Sequence, residues 1–175
     1  MIFLFLSWDE HGMNIDSIFS IAPFSWSCIF ASFFCGAAIG LERQLRGKPV
    51  GIRTSSLIVL GTYFFVTLAS LVNNDVSDPT RIIGQIVTGV GFLGAGVMMA
   101  REGLIVGVTS AATIWSLASI GICISIAGPL VAIKLSIIVV VILSVVDVVE
   151  GYFSTLSRGV HSKYENWRIK SNKQD

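Results

Sequence analysis

From Ile82 to Ala100 the chain runs nineteen residues without a charge, and five of them are glycine: Gly84, Gly89, Gly91, Gly94 and Gly96. No other stretch constrains the fold as strongly. Crossing a hydrocarbon core of ~30 Å takes about 20 helical residues, and this run is that long. In water such a helix would be weak, because each glycine costs roughly 1 kcal/mol relative to alanine. In a bilayer the same glycines let helix backbones approach closely. At the helical period Gly84, Thr88, Gly91 and Ala95 share one face, while Gly89, Gly96 and Ala100 share a second, about a third of a turn away. Two small-residue faces predict close packing against two neighbours, which places this segment at the centre of a helical bundle.

The same stretch contains GVGFLG (Gly89 to Gly94), a literal match to GxGxxG. The dinucleotide fingerprint needs a strand before the glycines, a helix after them and an acidic residue about 20 positions on. Inside an apolar span no phosphate can reach these glycines, so they read as helix-packing residues. No cofactor and no nucleic-acid partner is expected.

Composition agrees with a membrane class. Only 13% of the 175 residues are charged and the mean hydropathy is +0.78, against about 25% charged in soluble domains. Four further apolar spans flank the glycine-rich one: about Phe24 to Leu41, Thr54 to Val72, Val106 to Ala127 and Pro129 to Val149. The first carries Ser32, Gly36 and Gly40 at four-residue spacing, a face suited to helix contact. Cys28, Cys35 and Cys123 all lie in apolar spans and read as small hydrophobes. No CxxC or HExxH pattern marks a metal site, and no nucleophile–base pair or phosphate loop suggests an enzyme.

Ten of the twelve Lys and Arg residues fall on one side of this arrangement: Arg43, Arg46, Lys48, Arg53, Arg101 and five in the C-terminal tail. Basic loops stay cytoplasmic. The expected fold is therefore an all-α membrane protein, a polytopic bundle of five transmembrane helices with the N-terminus outside and the C-terminus cytoplasmic. It divides into an extracytoplasmic or interfacial segment (1–23), a transmembrane domain (24–150) and a basic cytoplasmic tail (151–175). The tail could form a short amphipathic helix with Tyr152, Phe153, Leu156 and Val160 on one side.

The spans carry no ionisable residue near their middle. Lys134 is close enough to the outer end of the fifth span to snorkel, and Asp147 falls at its inner end. The remaining charges gather at the cytoplasmic ends: Glu42, Arg43 and Arg46 after the first span, Arg53 before the second, Arg101 and Glu102 after the third. On physical grounds they read first as solvated anchors near anionic head groups. The alternative is an ion-paired cluster in which Glu42 meets Arg53 or Arg101 and Glu102 meets Arg43. Arg81 and Gln85, one turn apart at the outer end of the glycine-rich span, suit either a helix-end anchor or an anion or lipid-headgroup contact.

Three stretches together are specific: GAAIGLERQLRGKPVGIRT (Gly36 to Thr54), DPTRIIGQIVTGVGFLGAGVMM (Asp78 to Met99) and GVTSAATIWSLASIGI (Gly107 to Ile122). With them the chain resembles the MgtC/SapB family of bacterial inner-membrane proteins over about Ala31 to Val149. The resemblance carries over to Glu42, Arg43, Arg46, Gly51, Arg53, Thr54, Arg81, Gln85, Gly89, Gly91, Gly94, Gly96, Thr109 and Trp115. It implies a four- or five-helix membrane domain in the cytoplasmic membrane and a role in growth at low magnesium and survival inside macrophages. It further implies a regulator that acts on membrane partners, the F-type ATP synthase or a small membrane peptide, rather than a magnesium transporter.

Two departures from the family pattern stand out. Many members carry a soluble ACT-like C-terminal domain, whereas this sequence ends about 25 residues after the fifth span and is read as a short form. Where some members have an Asp in the fourth-helix motif, this chain has Ala112-Thr113-Ile114-Trp115. Magnesium favours carboxylate oxygens and ion transporters usually place ionisable groups at depth. The expected function is thus a membrane regulator that binds a partner through glycine-rich helix faces, in a bilayer and as a homo-oligomer. The rival expectation is a dimeric transporter or channel for magnesium or another ion.

Overall fold

The structure, a computed structural model of the chain, describes residues 20–71, 79–101 and 104–152. The N-terminal interfacial segment up to residue 19, the acidic loop 72–78, residues 102–103 and the basic tail after residue 152 lie outside the described residues, and with them the expected tail helix. Among the described residues five helices are long and apolar enough to cross a membrane: α1 (Trp26–Leu45), α2 (Ile52–Leu71), α3 (Pro79–Val97), α4 (Val108–Ala127) and α5 (Pro129–Tyr152). The expected spans and the observed helices agree in number and within a few residues at their ends. The protein is a multi-pass membrane protein.

Between α3 and α4 the chain makes a short antiparallel ribbon, β1 (Met99–Arg101) with β2 (Leu104–Val106), in which Met99 pairs with Val106 and Arg101 with Leu104. The helix expected to run to Ala100 therefore stops at Val97, and the fold is not wholly helical. Gly107 closes the ribbon. Its φ of +91° is open to glycine, and any Cβ there would collide with the Val97 carbonyl.

α1 and α4 hold the bundle together. α1 packs along α2 and α5 and touches α4, while α4 also lies against α2, α3 and α5. Glycines set the closest contacts. A Cβ on Gly36 would stand 2.5 Å from Ser56 Cα, and one on Gly40 would stand 2.6 Å from Ile52 Cα, so the GxxxG of α1 is the seam with α2. Gly121 of α4 makes the matching approach to α2, where a Cβ would be 2.6 Å from the Val59 carbonyl. Around these seams lie Cys35, Ile39, Val59, Tyr63, Ile114, Leu117, Ile120 and Ile124. Thr67 and Ser125 hydrogen-bond across α2 and α4 at 3.2 Å.

The glycine-rich helix is not the centre of this bundle. α3 rests on α4 by one edge, with Val90 and Gly94 buried, and makes only a light contact with α2. Gly94 meets Ala111 at ordinary van der Waals distance, but a Cβ on Gly84, Gly89, Gly91 or Gly96 would find no described atom within 4 Å. Both small-residue faces expected to bury against neighbours are open. Lipid explains how this can be: burying an apolar helix face against another brings no hydrophobic gain when the surroundings are already apolar. Small residues then permit close packing without requiring it.

Candidate functional site

The last turn of α1 carries Glu42, Arg43 and Arg46. Glu42 and Arg46 are one turn apart and therefore share a face, whereas Arg43 lies about 100° round the helix. Arg43 turns inward toward α4, where its Nη2 donates to Ser110 Oγ at 3.1 Å. Glu42 and Arg46 turn toward α5. Arg46 Nε stands 2.5 Å from Glu42 Oε1, and its Nη1 reaches Asp147 Oδ2 at 2.6 Å. Its Nη2 also donates to the Ser144 carbonyl at 3.4 Å. Arg43 Nη1 approaches the other Glu42 oxygen at 3.9 Å. The result is a continuous chain from Asp147 through Arg46, Glu42 and Arg43 to Ser110, which ties α5, α1 and α4 together at one end of the bundle.

Burial is graded along this chain. Arg43 is 2% exposed and Glu42 8%, while the side chains of Arg46 and Asp147 are each 30% exposed. Two positive and two negative charges balance within it, which is what allows Glu42 and Arg43 to be buried at all. The contacts to Glu42 are ionic rather than directed: neither carboxylate oxygen, nor Arg43 Nε, has a hydrogen-bond partner among the described residues. The loop that follows α1 is pinned from below. Val50 is buried with a φ of +70°, a conformation rare for a β-branched residue, and Ser55 Oγ donates to its carbonyl at 3.0 Å.

These observations revise the expected pairings. Glu42 and Arg43 are buried members of a network, not solvated anchors. Glu42 pairs with Arg46 and not with Arg53. Asp147, expected only at the helix end, is the partner that sequence reasoning missed, together with Ser110. The signal for the first pair was present, since Glu42 and Arg46 are four apart. Nothing in the sequence pointed at Ser110. The Arg101 side chain and Glu102 lie outside the described residues, and with them their expected pairings.

Arg53, the second residue of α2, is exposed at the same end of the bundle and has no ion or hydrogen-bond partner among the described residues. It stands at the mouth of a groove of about 690 Å³ between α2 and α3. Gln85 lines the groove from α3, and Gly61 and Gly89 widen it. Arg81 is exposed toward the opposite end of α3. The expected site residues thus separate into the ion network (Glu42, Arg43, Arg46), the groove (Arg53, Gln85, Gly89), the open positions of α3 (Gly84, Gly91, Gly96) and the contact of α3 with α4 (Gly94). Gly36 and Gly40 belong to the core seam. Among the described residues no group of three His, Cys, Asp or Glu side chains could hold a metal ion.

Comparison with known proteins gives a consistent picture. The MgtC family profile matches residues 29–152. "Protein MgtC" of Brucella abortus (strain 2308) is 43% identical over 96 residues, which is 55% of this chain and 40% of that protein. "Putative magnesium transporter YhiD" of Escherichia coli (strain K12) is 46% identical over 110 residues, 59% of this chain and 51% of that protein. "Protein MgtC" of Salmonella typhimurium (strain 14028s / SGSC 2262) is 45% identical over 95 residues, 54% of this chain and 40% of that protein. The matched stretch therefore spans about half the length of these relatives or less. No solved structure matches the chain.

Proposed function

The chain belongs to the MgtC family, and from that premise we propose that it is a regulatory protein of the bacterial inner membrane, which supports growth or survival under low magnesium by binding another membrane protein. The observation that carries this reading is the open face of α3. Gly84, Thr88, Gly91 and Ala95 form a strip of small residues down one side of the helix, all of them exposed, and around Gly84 and Gly91 no described atom lies within 4 Å of where a Cβ would stand. Such a strip is the surface on which a second transmembrane helix can pack closely. About a quarter-turn round, α3 rests on α4 through Gly94 against Ala111, with Val90 buried beside it, so the strip is presented by a helix whose orientation is already set. Family resemblance makes the F-type ATP synthase or a small membrane peptide the first partners to test, and a role in virulence belongs to the same reading.

The test is purification of the tagged protein in mild detergent from magnesium-starved cells, with quantification of the membrane proteins that accompany it. Gly91→Leu should remove a stoichiometric partner while leaving the protein's own thermal transition in place, because the site has room for the new side chain within the protomer. Retention of the partner by both Gly84→Leu and Gly91→Leu would overturn the proposal.

A transport reading has one specific support, the name carried by the Escherichia coli relative. Against it weighs the self-neutralised network, in which the carboxylates of Glu42 and Asp147 are already engaged by Arg46. Magnesium flux into proteoliposomes above that of empty vesicles, abolished by Glu42→Gln or Gln85→Leu, would favour transport.

A further inference from the structure

We propose that the groove between α2 and α3 binds one acyl chain of an anionic phospholipid, whose headgroup phosphate is held by Arg53. The proposal concerns a different side of α3 from the strip assigned to a protein partner and does not depend on that assignment.

The first argument is length. On α2 the groove runs from Arg53 to Phe65, about 18 Å at 1.5 Å per residue. One leaflet of a ~30 Å hydrocarbon core is about half that core deep. The groove thus begins at the end of a transmembrane helix, where head groups lie, and on α3 its lining reaches Ile82, about 22 Å from the Val97 end, so it passes the midplane and ends short of the opposite interface. A partner helix crossing the bilayer would need a seam through both leaflets. A lipid chain needs only one.

The second argument is chemistry. Below Arg53 the walls are mainly aliphatic and aromatic, with Leu57 and Phe65 on one side and Leu93 on the other, and with Thr62 and Gln85 as polar exceptions. Gly61 and Gly89 leave the space between them unfilled, since a Cβ on either would meet no described atom within 4 Å. The cation stands at the interfacial mouth and the apolar trough runs inward from it. That is the order of groups in a phospholipid. Arg53 has no ion partner among the described residues, unlike Arg46 and Arg43, whose charges are balanced within the network. Arginine matches a phosphate bidentately, which selects an anionic lipid over a zwitterionic one with its own ammonium.

The experiment is native mass spectrometry of the full-length protein, delipidated in a non-ionic detergent and titrated with phosphatidylglycerol or phosphatidylcholine, with inorganic phosphate as a competitor. Wild type should retain one phosphatidylglycerol per protomer in preference to phosphatidylcholine. Inorganic phosphate alone should neither bind measurably nor displace the lipid, since the chain supplies part of the affinity. Arg53→Gln should weaken the preference about five-fold, the attraction of a single surface arginine. Gly61→Leu should fill the trough and abolish retention of both lipids, with Gly84→Leu on the outer face as the control that retains them.

Equal retention of the two lipids by wild type would overturn the proposal, as would unchanged retention in Arg53→Gln and Gly61→Leu together. Loss of a co-purifying membrane protein in Gly61→Leu, with lipid retention intact, would assign the groove to a partner helix and equally overturn it. If Gly61→Leu fails to fold, the Arg53→Gln titration still decides.

Discussion

Glu42 is the residue on which the charged end of this bundle turns. It is the buried member of the network with two cationic neighbours, and its carboxylate has no other hydrogen-bond partner among the described residues. Replacing one partner of a buried ion pair typically costs about 3–5 kcal/mol because the other charge is left uncompensated. Glu42→Gln should therefore lower stability by about 3 kcal/mol, at the low end because Arg46 keeps Asp147 and some water. Asp147→Asn removes a pair at the partly exposed rim, and should cost about 1 kcal/mol or less. Thermal unfolding in detergent checks both values. Comparable losses for the two variants would mean that the burial gradient does not govern the network. Combining Glu42→Gln with Arg46→Gln should cost less than the sum of the single changes, since the two residues share one interaction.

At the scale of elements, the glycines divide by what stands opposite them. Gly36, Gly40 and Gly121 each face backbone at a distance no Cβ could occupy. Leucine at any of them has to push α1 or α4 away from α2. At Gly84 or Gly91 a Cβ meets no atom of a neighbouring described element within 4 Å. Gly36→Leu should thus fail to give a folded monomer in detergent, while Gly91→Leu should purify with an unchanged thermal transition. Size-exclusion profiles of the two variants side by side check this, and equal behaviour would contradict the packing. The same division separates what was legible in the chain from what was not. The GxxxG of α1 could be read correctly because its spacing is that of a helix seam. The richer pattern of α3 suggested two packed faces, and the structure leaves both open. Gly121 has Ser125 four residues on, a small-residue pair on the same face that sequence reasoning missed.

At the scale of the whole molecule, the arrangement is a core of four helices with α3 leaning on its side. The ends of α1, α3 and α5 and the starts of α2 and α4 meet at the end that carries Arg46. That end also holds five of the seven Lys and Arg among the described residues, so it is expected to face the cytoplasm. In intact cells a single cysteine introduced at Lys48 should resist a membrane-impermeant thiol reagent, while one introduced at Gly128, at the opposite turn, should react. The reverse pattern would invert the topology.

The sequence by itself determined the number of spans, the approximate ends of each and the family. All of these follow from local rules: about 20 apolar residues cross a bilayer, polar residues interrupt them, and specific motifs survive in the string. It was only in the tertiary structure that Glu42 acquired Asp147 as a second-hand partner through Arg46, and that α3 moved from the centre of the bundle to its flank. The reason is the solvent. In water an apolar face must find cover, so a hydrophobic pattern predicts which side is buried. In lipid every face is already covered, and what a helix touches is decided by shape and by a few polar contacts whose partners lie far along the chain, Arg43 with Ser110 and Arg46 with Asp147.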